Sequence, residues 1–193
     1  MENSFLIAGL GNPGVNYSLT RHNTGFMAAD MIHSNLNGNS WQNKFKAEYV
    51  KTRYGMVQAH ILKPQTFMNL SGQSVAKASA FFKIDIKKII IIHDDIDLDY
   101  GIVRVKSGGG TGGHKGLESC KKELGTTEFT RIRIGVGRPV HGDVSNFVLG
   151  TFTADEQIDL EAIVEQAAKA ALYIMKFGTT KAMNQFNKRQ GDN

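Results

Sequence analysis

The 193-residue sequence contains one cysteine, Cys120, and no apolar run approaching the length of a bilayer-spanning helix. The first scarcity excludes an internal disulfide and a thiolate-rich metal site, and the second excludes a helical membrane anchor. Met1-Glu-Asn precedes only a short apolar run that ends in glycine, so no basic secretory leader is expected. The expectation is a soluble, cytoplasmic protein. No Pro/Gly/Ser-rich linker, internal repeat or low-complexity tract divides the chain. What is present is a 41% hydrophobic fraction, enough apolar mass for one substantial core and for a single domain spanning residues 1–193.

The net charge of +5 is unevenly placed. Residues 101–140 hold eight Lys/Arg against three acids, so this one region accounts for the whole surplus. Clustered cations favour a phosphate-bearing partner, and several together can dominate affinity for nucleic acid. An ordinary solvated face would look the same.

Short apolar runs alternate with windows of helical spacing, the pattern of an α/β domain. Strands are expected over 4–10, 46–53, 56–63, 88–93, 102–106 and 131–137, with the second and third joined as a hairpin across Tyr54-Gly55. The four consecutive isoleucines at 89–92 lack alternation, so they read as a central strand covered on both faces. Helices are expected over 25–36, 71–82, 116–124, 154–177 and 180–189. The fourth opens with the capping box TADE (153–156) and closes at Gly178.

Gly9, Gly11 and Gly14 spell the G-x-G-x-x-G of a dinucleotide site directly after a strand. The context does not follow. Pro13 biases Asn12 away from helical dihedrals, no helix starts inside the loop, and the first acid at a suitable distance, Asp30, falls within a helical window. What remains is a turn displaying Asn12 and an irregular segment carrying Tyr17, Arg21, His22 and Asn23 at the carboxyl end of a strand, where α/β proteins place their chemistry.

HDDIDLD (93–99) brings several carboxylates to the end of the isoleucine strand, and one of them could orient a histidine. As a calcium loop it fails, because Tyr100 and Lys106 stand where glycine and glutamate are needed; spacing alone leaves magnesium open. SGGGTGGHKG (107–116) lets a substrate approach backbone closely but lacks the Gly-Lys-Ser/Thr of a P-loop. KPQTFMNLSG (63–72) sets Met68 and Asn69 just before a helix, where Asn69 could cap the helix or donate to a developing oxyanion. No nucleophile is signposted: Ser71 lacks the glycine of a nucleophile elbow, and Cys120 reads as a buried helix residue without a base beside it.

Taken together, GLGNPGVNYSLTRHNTG, KPQTFMNLSG, HDDIDL, GGGTGGHKG and RIRIGVGRP resemble the bacterial peptidyl-tRNA hydrolases in order, gaps and total length, from about Phe5 to about Gln185. The resemblance implies a monomeric α/β enzyme, a mixed twisted sheet surrounded by helices, that uses neither metal nor organic cofactor. It would cleave the ester between a peptide and the terminal ribose of tRNA. Carried over by position, His22 is the general base that activates water and Asp94 holds its imidazole. Asn12 and Asn69 position the ester and stabilise its tetrahedral intermediate. Tyr17 and Met68 line the cleft, and Lys106 and Arg133 clamp phosphate of the acceptor stem. One departure stands out: Lys115 occupies the place where the family usually has asparagine. Lysine only donates, so an acceptor role is lost there, and Lys115 becomes a candidate phosphate-binding residue. A pure RNA-binding protein on this scaffold would have no need of the His22 and Asp94 pair.

Overall fold

In the computed structural model, which describes residues 4–188, the isoleucines at 89–92 are buried on both faces. They belong to β5 (Ile89–Asp95), which lies parallel between β1 (Ser4–Gly9) and β7 (Thr130–Gly135). Burial of each such side chain is worth about 1.5–3 kcal/mol, which makes this strand the anchor of the sheet. Three more strands lie before β5, β2 (Gln42–Lys44), β3 (Ala47–Tyr54) and β4 (Val57–Pro64), and β6 (Val103–Ser107) lies between β5 and β7 in sequence. The order across the sheet is β2-β3-β4-β1-β5-β7-β6. The inner four strands are parallel, and antiparallel pairs close both edges.

Helices cover both faces. On one, Ala28 and Ile32 of α1 (Thr24–Asn35) and Ile163, Ala167 and Ile174 of α5 (Ala154–Phe177) pack on Ile7, Ile90, Ile92 and Ile132. On the other, Val75 and Ala78 of α2 (Ser71–Phe82) and Leu117 and Cys120 of α3 (Lys115–Leu124) pack on Leu6, Leu62, Ile89 and Ile91. A short α4 (Val144–Val148) precedes α5, and α6 (Thr179–Phe186) docks Ala182 beside the first core.

The six expected strands and five expected helices all form with ends displaced by at most two residues, apart from the last helix, which stops at Phe186; its expected end at Arg189 lies outside the described residues. The β3–β4 hairpin turns at Gly55, whose φ of 60° suits glycine. Thr153 and Glu156 exchange both capping-box hydrogen bonds at α5. Two elements were not foreseen. β2 is exposed throughout and carries no apolar alternation, and its turn uses Phe45 and Lys46 at positive φ in place of the usual Asn-Gly. α4 is five residues long, too short for a periodic signal.

Two glycines of the dinucleotide-like motif serve packing, while Gly14 holds a φ of 108° in the turn. A Cβ on Gly9 would lie 2.0 Å from the Gly25 carbonyl oxygen, and one on Gly11 would lie 2.7 Å from the Phe26 ring. They let β1 and the following turn meet α1 at backbone distance.

Candidate active site

The carboxyl ends of β1 and β5 open into a cavity of about 510 Å³. Asn12, His22, Met68, Asn69, Asp94 and Lys115, expected from four separate segments, all line it. Tyr17, Lys106 and Arg133 do not. Tyr17 is half-buried on the 3-10 turn Val15–Tyr17, where its carbonyl accepts from Thr20.

His22 sits on a second 3-10 turn, Arg21–Asn23, immediately before α1. Its Nδ1 lies 2.8 Å and 2.9 Å from the two oxygens of Asp94, which extends from the end of β5 and is buried. A carboxylate accepts only, so the ring proton is on Nδ1 and the lone pair is on Nε2. The described residues provide no hydrogen-bond partner for Nε2.

His114, whose part in the site the sequence reading did not identify, completes the group. Its Nε2 donates to Asp94 at 2.9 Å, while its Nδ1 accepts from the backbone N–H groups of Gly116 (3.1 Å) and Leu117 (3.3 Å) as the N-cap of α3. Those two donors fix its tautomer with hydrogen on Nε2. Burial alone would raise the Asp94 pKa, but the charges and hydrogen bonds of His114 and His22 outweigh it and hold the carboxyl below the usual carboxylate range. A histidine just before a helical window was the available signal, and it was obscured because histidine is a rare N-cap. His22, Asp94 and His114 are also the described residues able to hold a cation, their ligand atoms lying within 4.8 Å of one another. In this structure hydrogen bonds within the trio engage the nearest atoms of all three.

Asn12 is fixed from two sides. Its backbone N–H donates to Asn23 Oδ1 and its carbonyl accepts from Asn23 Nδ2, both at 2.9 Å. Its side-chain Oδ1 accepts from the Met68 backbone N–H at 2.8 Å. That last bond sets the amide orientation and leaves Nδ2 as a donor for the cavity. Asn69 is exposed at the mouth on the 3-10 turn Met68–Leu70, and the α2 cap position falls to Leu70, so the capping alternative for Asn69 does not hold.

Beneath the group lies His93, buried, donating from Nδ1 to the Asp94 carbonyl at 2.7 Å. Burial first and the neighbouring His114 second push its pKa down to about 3, so it is neutral. Of the other aspartates in the segment, Asp95 accepts from Arg133 Nε at 2.7 Å and from the Asp97 N–H at 2.9 Å. Asp97 accepts from Arg138. Cys120 is fully buried and its thiol is pushed up to about 12 by burial, which removes it as a nucleophile.

A family model described as peptidyl-tRNA hydrolase matches residues 6–193. The chain belongs to the peptidyl-tRNA hydrolase family. It is 47% identical over 184 residues to the peptidyl-tRNA hydrolase of Geobacter sp. (strain M21), covering 95% of this chain and 98% of that protein. The Alkaliphilus metalliredigens peptidyl-tRNA hydrolase is 45% identical over 183 residues, with 95% and 99% covered. The crystal structure of the Acinetobacter baumannii peptidyl-tRNA hydrolase superposes with a TM-score of 0.89 at 36% identity, covering 97% of this chain and 96% of that one.

Within this peptidyl-tRNA hydrolase fold the cationic surplus of 101–140 is smaller at the surface than in the sequence. Arg131 is buried, donating to the carbonyls of Gly110 (2.8 Å) and Gly108, and so holds the glycine-rich loop in place. Arg133 is paired with Asp95 and Arg138 with Asp97. Lys106 is exposed, and its Cε would lie 2.8 Å from a Cβ on Gly109. It therefore flanks the loop whose next residues, Thr111 to Gly113, wall the cavity. Lys115 is exposed at the first position of α3, on the cavity rim. No described helix is long and apolar enough to cross a membrane.

Proposed function

We propose that this chain, an ester hydrolase of the peptidyl-tRNA hydrolase family, cleaves the ester between a peptide and the terminal ribose of tRNA by a water that His22 activates. The carrying observation is that one cavity joins an imidazole, oriented by Asp94 at 2.8 Å, to an amide donor held on Asn12. Nε2 of His22 takes a proton from water as its oxygen attacks the ester carbonyl. The resulting oxyanion is received by Asn12 Nδ2 and by the Asn69 amide at the cavity mouth. Collapse breaks the bond to the ribose oxygen, which recovers the proton from His22, so the imidazole ends as it began.

The magnitudes suit an ester. A positioned base supplies about 10²–10⁴-fold and an oxyanion donor about 10²–10³-fold, and an ester already has a tolerable leaving group. No serine or cysteine nucleophile is required. His114 serves as the second donor to Asp94, holding the carboxylate where His22 needs it.

Met68, Phe67 and Val148 give the cavity apolar walls suited to peptide side chains. Lys106 and Lys115, joined by the Nη groups of Arg133, whose bond to Asp95 uses Nε, are the cations we assign to phosphates of the acceptor stem, which fix register without reading sequence. Affinity for tRNA then falls steeply with salt. The protein acts as a monomer in the cytoplasm in this reading, on a substrate whose peptide varies. Incubation with N-blocked aminoacyl-tRNA tests it: free tRNA and free blocked amino acid are expected. Retention of tRNA with the ester intact would leave a binding protein instead.

A further inference from the structure

The residue before the base is a buried arginine whose side chain touches no substrate-facing atom. Arg21 Nη2 donates to Glu156 Oε2 at 2.6 Å and Nη1 donates to the Thr151 carbonyl. Its guanidinium carbon lies 4.4 Å from the centre of the Phe147 ring and 5.1 Å from that of Phe152. The main chain adds two links, from Arg21 N–H to the Gly150 carbonyl at 3.0 Å and through the bridge of Thr20 with Thr151. All partners of the Arg21 side chain lie between residues 147 and 156, and this stretch continues directly from α4, whose Val144 and Val148 form one wall of the cavity.

We propose that Arg21 is a positioning residue for the reaction: it clamps the 3-10 turn that carries His22 onto the segment behind the α4 wall, so that base and wall are held as one unit. The inference rests on His22 being the base. A guanidinium is suited to this work because its planar fork serves two acceptors at once while stacking on aromatic faces. An ammonium cannot reach both Glu156 and Thr151 in the same geometry. The three-residue turn has no other side-chain tie of this kind: His22 itself bonds to Asp94, and Asn23 is committed to Asn12. Displacing a catalytic group by about 1 Å can cost about 10²-fold, so a loosened turn is felt in turnover.

Glu156→Gln and Arg21→Lys test this. Glutamine at 156 keeps the capping box of α5, since that motif accepts Glu or Gln, yet removes the charge facing Arg21. Arg21→Lys keeps the charge and removes the fork. The readouts are kcat and KM on N-blocked aminoacyl-tRNA, the melting temperature, and the downfield proton resonance of His22 Nδ1 bonded to Asp94. Arg21→Lys is expected to lower kcat about 10- to 100-fold with KM within about threefold, and to broaden or shift that resonance; Glu156→Gln is expected to do the same with a loss of about three- to tenfold. A role confined to stability would lower the melting temperature and leave kcat per folded molecule and the resonance unchanged, and that result overturns the proposal. If Arg21→Lys does not fold, Glu156→Gln decides by the same criteria. His22→Ala, measured alongside, separates the two claims: an active His22→Ala removes the base assignment itself, whereas an inactive His22→Ala with wild-type kcat in both other variants removes only the role of Arg21.

Discussion

Asp94→Asn changes one atom and makes the sharpest prediction. In the native site Asp94 Oδ1 accepts from both His22 Nδ1 (2.8 Å) and His114 Nε2 (2.9 Å), and Oδ2 lies 2.9 Å from the same His22 nitrogen. His114 cannot change its tautomer, because Gly116 and Leu117 donate to its Nδ1. The new amide must therefore keep its oxygen at the Oδ1 position toward His114, still 2.8 Å from His22 Nδ1, and place its NH2 at the Oδ2 position, 2.9 Å from the same nitrogen. That NH2 repels the Nδ1–H, whereas a bare Nδ1 accepts from it, so the balance shifts toward the tautomer that carries its proton on Nε2. The lone pair then points away from the substrate and no base remains. For the same carboxylate-to-amide change beside a catalytic histidine the cost is about 10⁴ in kcat, or about 5 kcal/mol at 1.36 kcal/mol per decade. The assay is steady-state cleavage of N-blocked aminoacyl-tRNA, with thermal melting as the folding control. KM should change little, since binding precedes the proton transfer. An Asn variant that folds and keeps a third or more of wild-type kcat would refute the tautomer argument.

Asn12→Asp retains an oxygen for the Met68 N–H but replaces the donor facing the cavity with negative charge, so kcat should drop by about 10²–10³-fold while folding is kept; unchanged turnover would remove Asn12 from oxyanion binding. Lys115→Asn should alter tRNA affinity more than turnover, because Lys115 lies on the rim and makes no hydrogen bond to the His22, Asp94 and His114 group; a dead Asn variant contradicts this. Stability should fall in mild acid. Burial lowers the His60 pKa from 6.5 to about 4, so the unfolded chain takes up this proton first and stability is lost as pH drops through that window, being fully present above 6.5. Urea midpoints should decline across it, and less steeply in His60→Gln; identical slopes would show that His60 is not responsible.

The elements that carry chemistry were readable where periodicity or turn chemistry is strong. The isoleucine run announced β5, and the Asn-Pro-Gly turn separated the segment from a dinucleotide loop whose glycines in fact let Gly9 and Gly25 touch. Convergence was not readable from spacing. Only the register of β1 beside β5 brings His22 to Asp94 across 72 residues, and only the motif set taken together pointed to it. His114 escaped because its part depends on where α3 begins, and helix ends are the least determined feature of a sequence. The charge count overstated the binding surface, since sequence does not show that Arg131 is buried against glycine carbonyls or that Arg133 is paired with Asp95.

The measurement that bears most directly on the mechanism is a paired one on His22→Ala: affinity for an uncleaved N-blocked aminoacyl-tRNA, and its rate of cleavage in a single turnover. The base assignment predicts affinity near that of the wild type with cleavage slower by at least about 10²-fold. Cleavage at the wild-type rate by a protein lacking that imidazole would contradict it.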